Sequence, residues 1–309
     1  MNPIFIFGHK NPDTDSICST LALTELKTKL GENVKAHRLG EVNNETSFVL
    51  DYFKIDAPEL LKEVSAKQEV ILVDHNEKAQ SVDGLENAKI LQVVDHHKFG
   101  NFSTDEPVKI DADTVGCTST IIFKLFKEAQ ITPSKEIAGL MMSAILSDTL
   151  LFKSPTCTER DKQAVKELAE IAGEKDFEAY GMKMLIAGTS LKGMTSQEII
   201  SIDMKAFDMN GSKVSISQIN TVDIPGILEM QKEFEESMTA NNTANNYVLS
   251  LLVVTDIIKA GSYILAVGER QDLVEKAYNV KLENNIVWLD GVVSRKKQVV
   301  PVLMEASQN

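Results

Sequence analysis

Two apolar runs, EVILVD at 69–74 and ILQVVD at 90–95, each break off at an aspartate. A strand wetted on one side alternates apolar and polar residues. These runs do not, so both of their faces must be covered, which points to a parallel sheet packed between helices. The segment before them fits the same plan. PIFIFG (3–8) reads as a strand stopping at Gly8, followed by a helix from about Ser16 with Ile17, Leu21 and Leu26 inward, Asp15 as its cap and Gly31 as its end. VKAHRLG reads as a second strand and 44–53 as a helix. Further helices are expected over 116–129, 135–152 and 159–187.

The stretch GTSLKGMTS (188–196) concentrates Gly, Ser and Thr between periodic segments and marks a boundary. Beyond it KAFDM, KVSISQI, YVLSLLVVTDI and SYILAVG read as strands, with a helix near 224–240 and a shorter one near 272–278. The expected fold class is therefore α/β: an N-terminal domain (1–188) with a parallel sheet flanked by helices, a hinge (189–195), and a smaller C-terminal α/β domain (196–309) with a mixed sheet.

Lys and Arg number 32 against 45 Asp and Glu, a formal charge of −13 that argues against nucleic acid as a partner. No apolar run is long enough to cross a membrane, and the N-terminus lacks the pattern of a secretion signal. Cys18, Cys117 and Cys157 are widely spaced and read as reduced thiols. A cytoplasmic location is the expectation.

All five histidines fall within the first 97 residues. His37 lies inside a predicted strand and reads as structural. The others stand at strand ends with aspartates: GHKNPDTDS carries His9, Asp13 and Asp15, VDHN carries Asp74 and His75, and VVDHH carries Asp95, His96 and His97. Open α/β sheets bind their ligands at these carboxyl ends. Asp148 falls on the apolar stripe of Ile137, Met141, Ala144 and Ile145, where a carboxylate has to be paired or metal-bound. His9, Asp13, Asp15, Asp74, His96 and Asp148 thus offer more donors than one ion needs. With one carboxylate shared they suit two divalent ions roughly 3.5–4 Å apart, an arrangement that activates water for attack on phosphorus. Imidazole and carboxylate without thiolate favour Mn²⁺ or Co²⁺ over a structural zinc. Near the other end, GVVSRKKQVVP sets Arg295, Lys296 and Lys297 in an apolar run; such a triplet is either a solvated turn or a clamp for a compact polyanion.

These motifs, with GCTST (116–120) and SDTLLFKSPTCT (147–158), resemble the DHH phosphoesterase superfamily, and most closely the family II, manganese-dependent inorganic pyrophosphatases. The resemblance spans nearly the whole chain and shows no inserted regulatory module. It implies that His9 and Asp13 bind one Mn²⁺, that Asp15, His96 and Asp148 bind the other, and that Asp74 bridges. It also implies that His97, Lys205, Arg295 and Lys296 bind the substrate and serve catalysis, with Mg²⁺ accompanying pyrophosphate. A hydroxide bridging the two metals would attack phosphorus to give two orthophosphates, in a homodimer joined through N-terminal domains, with the C-terminal domain closing over substrate. A DHH phosphodiesterase acting on short oligonucleotides or cyclic dinucleotides is the alternative. Such enzymes carry a Gly-rich, His-containing motif late in the chain, whereas here no histidine follows His97. A binding protein that has lost turnover is a further alternative, and the complete donor set speaks against it.

Overall fold

The computed structural model describes residues 2–100, 102–191 and 193–308, so Lys192 of the expected hinge lies outside the described residues. Two compact units are formed, one ending at Gly188 and the other starting at Thr189. The first unit runs β1 (Ile4–Phe7), α1 (Thr14–Lys29), β2 (Val34–Arg38), α2 (Asn44–Phe53), β3 (Glu59–Leu60), β4 (Glu69–Val73), β5 (Lys89–Asp95), β6 (Lys109–Ala112), α3 (Thr118–Glu128), α4 (Lys135–Asp148), α5 (Glu159–Ala172) and α6 (Phe177–Gly188). Its strands are all parallel, in the order β3-β2-β1-β4-β5-β6. Val70 to Val73 and Val93 to Val94 are buried, as a sheet covered on both faces requires. Strand order reverses between β1 and β4. The chain leaves these neighbours in opposite directions and opens a crevice at their carboxyl ends, where His9 and Asp74 emerge.

Two local expectations need correction. Asp13, not Asp15, caps α1, its Oδ1 accepting the Ser16 N–H at 2.9 Å, because the helix starts at Thr14 rather than Ser16. Asp15 is thereby drawn into the first turn and fully buried. The helix expected over 135–152 ends at Asp148, since Leu150, Leu151 and Phe152 take φ values of 47°, 53° and 68°. Left-handed backbone costs an L-residue about 1–2 kcal/mol. Packing supplies the compensation: Leu151 lies against Gly181, and the Phe152 ring meets Phe177 edge-on. Periodicity runs on through these residues and so cannot announce the reversal.

Helix α4 is buried continuously from Ile137 to Leu146. A Cβ added at Gly139 would lie 2.2 Å from the ring of Phe53, which closes α2 against α4. Overpacking of this kind costs about 1–3 kcal/mol, so Gly139→Ala is expected to lower the urea midpoint of the metal-free protein without changing the slope. An unchanged midpoint would mean that the ring moves aside freely.

The second unit contains α7 (Ser196–Ser201), β7 (Lys205–Met209), β8 (Ser212–Thr221), α8 (Ile224–Glu229), α9 (Gln231–Asn245), β9 (Leu249–Asp256), β10 (Gly261–Gly268), α10 (Asp272–Tyr278), β11 (Ile286–Asp290), a π-helical turn (Arg295–Val299) and α11 (Val300–Gln308). The sheet order is β11-β10-β9-β8-β7, with β8 and β9 parallel and the remaining pairs antiparallel. Along β9, Leu251 and Val253 face one core with Leu273 and Leu303, while Leu252 and Val254 face another with Ile199, Phe234 and Met238. Both faces are covered, which is why this strand too reads as one apolar run. The helix expected over 224–240 is broken at Met230 into α8 and α9. The expectations from sequence do not include β3, β6, β11, α7 or α11.

Candidate metal centre

The loop after β1, the ends of β4 and β5, the start of α3 and the end of α4 converge on one crevice. There His9, Asp13 and Asp74 bring a ligand atom each within 4.8 Å of one another, and so do Asp15, His96 and Asp148; a third such group, Asp74, His96 and His97, overlaps both. Asp74 stands between the first two groups. Its Oδ2 is 3.4 Å from His9 Nε2 and its Oδ1 is 3.6 Å from His96 Nε2, so the two carboxylate oxygens look toward different trios. Left-handed backbone at Asp74 (φ 60°), which aspartate tolerates better than most residues, turns the side chain into the crevice.

Both imidazoles are aimed from behind. His9 Nδ1 donates to the Lys10 carbonyl at 2.8 Å and His96 Nδ1 to the Val115 carbonyl at 3.1 Å, so each presents Nε2 to the carboxylates. Fixing a ligand histidine through its second nitrogen is the usual way a metal site sets tautomer and angle. Asp15 is held at the N-terminus of α3: its Oδ2 accepts the Thr118 N–H at 2.7 Å and its Oδ1 the Ser119 N–H at 3.2 Å. Thr118 Oγ1 also donates to Asp74 Oδ1 at 2.8 Å, and Ser19 Oγ to Asp15 Oδ1 at 2.5 Å. GCTST is thus a cradle for two carboxylates, which its composition alone does not reveal.

The electrostatics call for cations. Burial, then the carboxylate of Asp15, pushes the acids of Asp74 and Asp148 well above the usual range. Asp148 also ends α4, where the negative pole of the helix repels a carboxylate by about 0.3–1 kcal/mol. Burial works against a charged His9, yet its hydrogen bonds with Asp13 and Asp74 hold the imidazolium up to about 11. Four carboxylates facing two imidazoles are left short of positive charge, and divalent ions would supply it.

Asp95 is no candidate ligand, although it opens the DHH triplet. Fully buried, it accepts the His97 N–H at 3.0 Å and His97 Nδ1 at 2.9 Å on Oδ1, and Asn76 Nδ2 at 2.7 Å on Oδ2. That hydrogen bond is the main reason His97 is raised to about 9. A raised histidine stabilises the fold fully below its unfolded value near 6.5, and the contribution is lost as pH climbs through about 9. In the metal-free protein, Asp95→Asn is expected to bring the His97 titration, followed by its ring-proton NMR shifts, back toward 6.5. Persistence near 9 would sink this account. His75 is buried, donating Nδ1–H to Val73 O at 2.8 Å and facing Ser81 Oγ from Nε2 at 3.0 Å; burial lowers it to about 4. It braces the loop after β4 as a neutral ring. His37 is likewise buried, against Phe5.

In the second unit, Lys205 opens β7 and Lys296 lies in the π-helical turn, both exposed. Arg295 is buried, its guanidinium engaged by the Asp203 carboxylate at 3.0 Å and by the Asp203 carbonyl, while its backbone N–H donates to Gln218 Oε1 at 3.0 Å. Sequence reading gave Arg295 no partner within the protein. Asp203 and Gln218 lie far from it in sequence, and no local spacing signals the pairing.

The sequence matches the DHH family, N-terminal domain, over residues 3–145 and the DHHA2 domain over residues 182–306. Relatives from Bacillus cereus strain G9842 and Bacillus anthracis strain CDC 684, each described as a probable manganese-dependent inorganic pyrophosphatase, are 52% identical over 309 residues, covering 100% of both chains. The chain belongs to the manganese-dependent inorganic pyrophosphatases. A Methanococcus jannaschii structure provisionally assigned to the family II inorganic pyrophosphatases shares 41% identity, with 98% of this chain and 99% of that one covered, at a TM-score of 0.62.

The donor set suits what the family name requires. Carboxylate oxygens and imidazole nitrogens are the hard and borderline ligands that manganese takes. Cys18 and Cys117 are also buried near these carboxylates, but burial first, and Asp15 next, push both thiols up. Both shifts disfavour the thiolate that a metal ligand requires. No helix among the described residues is long and apolar enough to cross a membrane.

Proposed function

We propose that this pyrophosphatase hydrolyses inorganic pyrophosphate to two orthophosphates with two Mn²⁺ ions per subunit, for which Co²⁺ can substitute, and with Mg²⁺ accompanying the substrate. His9 and Asp13 hold one ion, Asp15, His96 and Asp148 the other, and Asp74 is shared. The observation that carries this reading is the placement of the two Asp74 oxygens toward different trios. When bound, the two ions would supply Lewis acidity and lower the pKa of a water, so that hydroxide is available as the nucleophile near neutral pH.

The chain's own groups do the rest. Thr118 and Ser119 orient Asp15 and Asp74, so ligand geometry is set before substrate arrives. His97, fixed by Asp95, contacts a phosphate oxygen and handles a proton there. Lys205, Arg295 and Lys296 neutralise charge on the leaving phosphate. Flexing at 189–195 brings the domain of residues 196–309 over the bound substrate and excludes water. The protein works in the cytoplasm. It does so as a homodimer joined through N-terminal domains, for which the open edge strand β6 with its exposed Ile110 offers a surface.

The test gives metal-stripped protein, reloaded with Mn²⁺ and supplied with Mg²⁺, either pyrophosphate, a short oligonucleotide or a cyclic dinucleotide, and follows orthophosphate release from the first and nucleotide products, by chromatography, from the other two. Release from pyrophosphate alone is expected. Cleavage of the diesters with pyrophosphate untouched would overturn the substrate assignment while sparing the metal site.

A further inference from the structure

We propose that Glu45 is a positioning residue that sets the spacing of the two ion sites and ties it to the point where the first unit ends. This rests on the metal-ligand reading above. Glu45 lies in the first turn of α2 and belongs to none of the ligand trios. Its Oε1 accepts the Thr14 hydroxyl at 2.6 Å and the Ser147 hydroxyl at 2.5 Å. Thr14 stands between Asp13 and Asp15, and Ser147 directly precedes Asp148. One oxygen therefore clamps the start of α1 to the end of α4, the two segments that bring three ligand candidates from both trios.

The same side chain fills the space where a Cβ would stand at Gly188. A Cβ built there would be 2.8 Å from Glu45 Cβ and 2.9 Å from its Oε2. Gly188 is the last residue of α6 and of the first unit, and its backbone is not left-handed. Close approach, not conformational freedom, is what demands glycine. A displacement of the chain at Gly188 is thus felt by the carboxylate that clamps Thr14 and Ser147, and a shift of the ligand segments is felt at Gly188.

Partners behind metal ligands typically carry a tenfold to hundredfold effect on affinity. Mn²⁺ binding by the full chain, measured by titration calorimetry, is the readout, because a purely structural role would change unfolding of the metal-free protein and leave binding alone. Glu45→Ala is expected to weaken Mn²⁺ binding about 10–100-fold. Glu45→Gln keeps an acceptor oxygen at the same reach and is expected to stay within about threefold of the parent. Gly188→Ala, which leaves every hydrogen-bonding group in place but pushes on Glu45, is expected to weaken binding in the same direction by about tenfold. Parent-like affinity in Glu45→Ala overturns the positioning role; should that variant fail to fold, parent-like affinity in Gly188→Ala does so instead. Affinity lost in Glu45→Ala and intact in Gly188→Ala overturns the link to the end of the unit. Failure of the parent protein to bind two ions would instead count against the ligand assignment itself.

Discussion

Asp74→Asn is expected to cut phosphate release from pyrophosphate by about a thousandfold or more, roughly 4 kcal/mol of transition-state stabilisation. The substitution keeps shape, one acceptor oxygen and tolerance of left-handed backbone, so the fold should persist. What it removes is the second anionic oxygen, and with it the ability to serve both trios. Stability should move the other way. Burial and the carboxylate of Asp15 hold Asp74 well above its unfolded value, so metal-free stability falls as pH rises from that unfolded value toward the folded one. Asparagine escapes that loss, and the metal-free variant is expected to unfold at a higher temperature than the parent at neutral pH. Bound manganese is to be measured alongside release by atomic absorption. A variant retaining two ions and parental turnover would remove Asp74 from the shared position.

The second large effect is expected in the other unit. Lys296→Ala should lower turnover by about a hundredfold, the scale seen when one group stabilising transition-state charge is removed. Manganese content and thermal unfolding should stay unchanged, because the side chain is exposed on the π-helical turn. Arg295→Ala should differ in kind. Removing that guanidinium leaves the Asp203 carboxylate and a backbone carbonyl without their partner, so lower stability is expected along with lower turnover. Loss of manganese in Lys296→Ala would show that the basic turn supports the metal site rather than the substrate.

Most of the candidate ligands are legible in the sequence because their chemistry follows a strand end. A β4 or β5 run that stops at an aspartate carries its own announcement, and so does His9 after β1. Asp148 was legible by contradiction, as a carboxylate on an apolar stripe, although the helix ends on it instead of continuing. Asp95 stands in plain view in VVDHH, and Thr118 and Ser119 in GCTST, but the sequence assigns them no role, because serine, threonine and aspartate at a helix start or strand end are equally good caps. Only their long-range partners give them a role. Strands β6 and β11 escaped because edge strands need not be apolar on both faces.

The layered α/β plan and the candidate ligand types at the strand ends follow from the sequence, since burial periodicity and donor chemistry are written residue by residue. Tertiary structure alone decided which oxygen of Asp74 faces which trio, that Thr118 and Ser119 grip Asp15, that Arg295 is held by Asp203, and that Glu45 joins Thr14 to Ser147 beside Gly188. The reason is physical. A hydrogen bond or ion pair between residues a hundred positions apart depends on how packed helices and strands bring their ends within about 3 Å of each other, and no local pattern encodes that distance.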